Sequence, residues 1–178
     1  MELFAFLFLL PSGRSQPRTD PVAWQQLQAA FAERGVAVVS DHPRCREPDL
    51  DGLYQRGRRE VVVCERGDRS LTLRHEGWHL VQSLCLRDRP WLGNEEIARR
   101  LTRQDRRELQ VLVRPELWSR EAEARVMAQL PNAAYLDELD RACGTWPPSA
   151  SFHLPERDQS RSSSWVITTQ ASLSPNVS

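Results

Sequence analysis

The chain has 178 residues, 40% apolar and 27% charged, enough for one folded domain with a real core and room for tails. Its 24 basic and 24 acidic residues cancel, so overall charge gives no reason to expect nucleic acid or an acidic membrane as partner. Every basic residue is Arg and none is Lys, which excludes Schiff-base and lysine general-base chemistry.

In chain order, residues 3–10 form an apolar run like the core of a signal peptide, but no basic residue precedes it and no clear cleavage site follows. The run falls short of the roughly 18 residues of a bilayer span, and no other run reaches that length, so no integral membrane segment is expected. Residues 1–19 are therefore read as an N-terminal extension or degenerate signal segment. Asp20 and Pro21 have the form of an N-cap and first-turn proline, and Trp24, Leu27 and Phe31 then recur at helical spacing until Gly35. Strands are expected over 36–39, 53–55 and 60–64, the last two joined by a turn at Arg56, Gly57 and Arg58. Ser70 is the expected cap of a helix over about 71–86, and Asn94 that of an Arg-rich helical stretch reaching Leu112. Pro115 restarts a helix to Leu130, Pro131 stops it, and a last helix over 132–143 ends at Gly144. That order, a small N-terminal sheet followed by helices, is an α+β layout over residues 20–146. Residues 147–178 turn rich in Pro and Ser and are expected to be a mostly disordered tail, with Trp165, Val166 and Ile167 as a lone apolar island.

The four cysteines, Cys45, Cys64, Cys85 and Cys143, contain no CxxC pair, which argues against a zinc ribbon. Buried reduced thiols are the favoured reading, together with a cytoplasmic rather than exported protein. On export, Cys45 with Cys64 or Cys64 with Cys85 would staple the sheet to the next helix.

The segment that carries chemistry is His75-Glu76-Gly77-Trp78-His79, an HExxH motif inside a predicted helix that follows a predicted strand. Histidines at i and i+4 share a helix face and can converge on one zinc ion, at about 2.0–2.1 Å from each nitrogen. Glu76 sits at the edge of that face, placed to take a proton from a water at the metal rather than to ligate it. With 4 His and 14 Glu in the chain, the motif would arise by chance in roughly 0.7% of such sequences. The plainer reading is a pair of surface histidines beside Arg74 or Arg87.

A catalytic zinc needs a third protein ligand. No His follows at metzincin spacing, His42 lies in a loop, His153 in the tail, and Cys85 faces away from the histidine pair. Glu95 and Glu96 are explained as partners of a helix dipole. The stretch Glu121-Ala122-Glu123-Ala124 is the best source, and its two carboxylates point about 200° apart on a helix, so only one can face the metal. The other is expected on a solvated face, paired with Arg120 or Arg125.

These residues resemble the zincin metallopeptidases, in particular the gluzincin branch, where a Glu on a downstream helix reading E-x-x-A completes HExxH. CAAX prenyl proteases and ImmA/IrrE-like peptidases are examples. The resemblance implies a zincin-like fold, a zinc cofactor held by His75, His79 and Glu121, a peptide or protein substrate, and Glu76 as general base. The chain departs from the pattern at Arg125, where Asp or Asn is usual. A looser likeness, to the mitochondrial peptidase that matures an ATP synthase subunit, lies in Cys64 and Cys85 flanking the motif. The reading is a zinc metallopeptidase; the alternatives are a non-catalytic zinc-binding regulatory or interaction module of the same fold, and an interaction protein without metal.

Overall fold

The structure, a computed structural model, describes residues 19–144, Trp146 and the backbone of 166–170. Asp20 caps α1 (Pro21–Glu33) by accepting from the Val22 N–H, and Gly35 at φ 67° turns the chain out of it. The chain then enters β1 (Ala37–Val39), crosses through a 3-10 turn at Pro43–Arg46, and forms the antiparallel hairpin of β2 (Leu50–Gln55) and β3 (Glu60–Val63). β1 pairs parallel with β3, and β4 (Val166–Gln170) pairs antiparallel with β2, giving the order β1-β3-β2-β4. Val166 and Ile167, expected in a disordered tail, therefore belong to an edge strand whose backbone groups are satisfied by β2. The expectations for residues 1–18, for the remainder of 147–178 and for His153 lie outside the described residues.

The apolar run of β3 is buried on both faces. Val61 and Val63 join Trp24, Leu27, Phe31, Leu73 and Trp78 in the main core, while Val62 and Cys64 face Leu50, Leu53 and Cys45 on the other side. That second face explains Cys45–Cys64, one of two disulfides; the other is Cys85–Cys143. The expectation of reduced thiols is thus overturned, and Cys64 does not pair with Cys85. The long-range bridge forms because α6 (Asn132–Cys143) folds back along α2 (Arg69–Leu84) and brings its last residue to the C-cap of that helix.

Helix α2 (Arg69–Leu84) starts two residues earlier than expected: Asp68, not Ser70, caps it by accepting from the Leu71 N–H, and Ser70 is buried within. The Arg-rich stretch is two helices, α3 (Asn94–Arg100) and α4 (Arg103–Leu112), because Thr102 and Asp105 form a reciprocal capping box that restarts the chain. Asn94 is the first residue of α3, and Gly93 holds its cap position. Pro115–Leu117 is a 3-10 turn leading into α5 (Trp118–Ala128), and α6 (Asn132–Cys143) ends at Gly144 as expected. The architecture is α+β. Among the described residues, no helix is long and apolar enough to cross a membrane.

Candidate metal centre

Helix α2 is central: 11 of its 16 residues are buried, so its polar side chains must find partners inside the protein. Close packing depends on two glycines. A Cβ at Gly77 would lie 2.3 Å from Phe31 Cζ of α1 and 2.9 Å from the Tyr135 hydroxyl of α6. One at Gly52 of β2 would lie 2.5 Å from Thr72 Cγ2 and 3.3 Å from Glu76 Cγ, so β2 runs directly beside Glu76.

His75 and His79 face α5 with their rings 4.8 Å apart, edge to face. Glu121, in the first turn of α5, reaches both: its Oε1 is 3.3 Å from His75 Nε2 and its Oε2 3.1 Å from His79 Nε2. The three expected ligands thus lie together, buried, with Glu76 buried beside them. They are not surface histidines; Arg74 is occupied elsewhere, donating to the Ala128 carbonyl and to Asn132. Burial alone would raise the Glu121 carboxyl, but the His75 and His79 imidazoles reverse this and hold it well below the usual carboxylate range. Burial pulls His75 down, and Glu121, with help from Glu76, lifts it above its ordinary value.

The donor set fits a divalent transition metal such as zinc. Two ligands about 2.0–2.1 Å from one tetrahedral ion lie about 3.3–3.4 Å from each other. The separations of 3.3 Å from Oε1 to His75 and 3.1 Å from Oε2 to His79 are close to that edge, and one donor atom from each residue falls within 4.8 Å of the others. His75 Nε2 is buried and makes no hydrogen bond, although the Glu121 oxygen is nearby. Two imidazoles and a carboxylate are also ligands that zinc prefers.

The surroundings correct one expectation. Glu123 does not lie on a solvated face with an Arg partner; it is 1% exposed. Its Oε1 accepts from Trp78 Nε1 (2.8 Å) and Gln82 Nε2 (2.9 Å), and its Oε2 from the backbone N–H groups of Trp91 (2.7 Å) and Leu92 (2.8 Å). Arg120 instead donates to Asp88 and to the His79 carbonyl. Arg125, at the position where the resemblance expects Asp or Asn, donates to Glu121 Oε1 at 3.3 Å and to Glu108 of α4 at 2.6 Å. Arg125 therefore shares Glu121 Oε1 with His75 and ties that carboxylate to α4.

The other candidates are elsewhere. His42 caps the 3-10 turn by accepting from the Arg44 N–H, and Glu96 pairs with Arg99 and Arg100. Gln82 and Glu123 were missed by sequence reasoning. The signal was available in α5, where Ala122, Ala124, Val126, Met127 and Ala128 leave almost no polar face for a solvated carboxylate. Compared with protein-family models, with curated proteins and with solved structures, the chain matches none.

Proposed function

We propose that the protein is a zinc metallopeptidase, with His75, His79 and Glu121 holding the ion and Glu76 as general base. The convergence of both HExxH imidazoles and the α5 carboxylate in one buried cluster carries this reading. Zinc bound there would supply a water of pKa about 7 and a Lewis acid for the scissile carbonyl. Glu76 would accept the proton of the attacking water and return it to the leaving amine. Arg125 keeps Glu121 turned toward the histidines. The substrate is a peptide or protein, by likeness to the gluzincin peptidases. The two disulfides support work in an oxidising compartment, hence an exported protein.

Metal analysis should find about one zinc per chain, lost when His75 and His79 are both replaced by Ala. A peptide library should be cut by the wild-type protein and not by Glu76→Gln, which retains zinc but cannot accept the proton. Wild-type turnover by that variant removes Glu76 from the role. One observation favours a second reading, a non-catalytic zinc-binding module: Glu76 and His79 are both 0% exposed. Stoichiometric zinc with no turnover of any peptide would select it.

A further inference from the structure

Gln82 lies one turn after His79 on α2 and faces three groups at once. One end of its amide is 2.8 Å from His79 Nδ1. The other end is 3.0 Å from the Arg120 carbonyl oxygen and 2.9 Å from Glu123 Oε1. A backbone carbonyl can only accept, and Glu123 already accepts from three other N–H donors, Trp78 Nε1 and the backbone of Trp91 and Leu92. The end facing both must therefore be the NH2 group, whose two hydrogens serve the two acceptors. The amide oxygen is then left facing His79, and Nδ1 of that ring must carry a proton to meet it. Nε2, 3.1 Å from Glu121 Oε2, is then the nitrogen left for an ion, which would take the place of any proton shared with that carboxylate.

We propose that Gln82 and Glu123 are positioning residues of the metal centre. Glu123 fixes the amide of Gln82, and Gln82 fixes the tautomer and ring angle of His79 so that Nε2 is presented to the ion. This rests on the zinc-site reading above. Glu123 also ties the chain after α2 to the same unit, because its second oxygen holds the N–H groups of Trp91 and Leu92. The ligand on α2, the ligand helix α5 and the connection between them are thus aligned through one carboxylate. Outer partners of this kind typically change metal affinity by about 10–100-fold.

The test uses the full chain, nitrogen-15 NMR of the histidine rings in metal-free protein at about pH 8, and isothermal titration with zinc. His79 is assigned by comparison with His79→Ala. Wild-type protein should show His79 with its proton on Nδ1. Gln82→Met, similar in size but without an acceptor, should mix the tautomers and weaken zinc binding by about tenfold or more. Gln82→Glu restores an acceptor at Nδ1 and should keep the tautomer and the affinity, although it sets a second carboxylate against Glu123 and lowers the melting temperature. That split separates positioning from general loss of stability. A wild-type His79 with no proton on Nδ1, or an unchanged tautomer and affinity in Gln82→Met, overturns the proposal. If Gln82→Met does not fold, the wild-type and Gln82→Glu spectra still decide it. A wild-type protein that takes up no zinc overturns the peptidase reading instead, while the tautomer continues to report on Gln82 alone.

Discussion

Two carboxylates two residues apart on α5 are both buried against α2, yet they differ in what surrounds them. Glu123 meets four N–H donors at 2.7–2.9 Å, so it is satisfied by the protein itself. Glu121 meets two imidazole nitrogens at 3.1 and 3.3 Å and one Arg at 3.3 Å, a setting that a cation completes. The difference is between a carboxylate whose partners are all supplied by the protein and one placed with two imidazoles where an ion could sit. Burial alone does not tell them apart; the count and identity of hydrogen-bond donors does.

Substitutions should separate the two. The largest effect is expected from Glu123→Ala, which strands four buried donors. Each stranded donor costs about 1–3 kcal/mol, so chemical denaturation should show a loss of at least about 3 kcal/mol. Near-wild-type stability would mean that the chain around Trp91 does not rest on this residue. Glu121→Ala should instead act mainly on the metal: zinc affinity falls at least about tenfold by titration, with a smaller loss of stability in the metal-free protein than Glu123→Ala causes. Gly77→Ala probes the opposite face of α2. Its helix propensity gain of about 1 kcal/mol is outweighed by overpacking against Phe31 and Tyr135, about 1–3 kcal/mol, for a net loss near 1 kcal/mol with zinc affinity unchanged.

Acidity sharpens the contrast further. In metal-free protein the depressed Glu121 contributes stability that is present above its unfolded value of about 4.3 and is lost as pH falls. The raised His75 contributes stability that is present below its unfolded value of about 6.5 and is lost as pH rises through the folded one. Thermal melts of metal-free protein should therefore peak in mildly acidic buffer, and Glu121→Gln should flatten that peak. The smallest effect is expected from deleting residues 147–178. It uncovers the outer edge of β2 and should lower the melting temperature by no more than about 2–4 °C.

How far the molecule was legible in its sequence depended on the range of the interaction. His75 and His79 needed only helical spacing, and α1 needed only Asp20, Pro21 and Gly35; the order of elements followed. Glu121 was reached through resemblance to a family pattern, because nothing local separates it from Glu123. The two carboxylates do leave α5 on opposite sides, but neither side is wet. Loop 85–93 covers the Glu123 side, and its path is set by Arg87 and Asp88 at φ 54° and 61°, which local propensity does not announce. The Cys85–Cys143 bridge spans 58 residues and depends on α6 returning along α2, so it too was hidden. The Thr102–Asp105 capping box, by contrast, was written in adjacent residues and overlooked among the arginines.

The disulfides have a consequence for how this protein is handled. Cys64 lies just before α2 and Cys85 just after it, so the helix bearing both imidazoles is bracketed by half-cystines. Opening the bridges would release four thiols, and thiolate is itself a strong zinc ligand, at about 2.3 Å from the metal. A chain kept in reductant would offer zinc a sulfur-rich competitor within reach of the same helix. Metal content measured in such a buffer would count the sulfurs as well as the triad, and a chelator titration there would report the wrong affinity. Oxidised protein, in buffer free of thiols, is the form whose zinc stoichiometry reports on His75, His79 and Glu121.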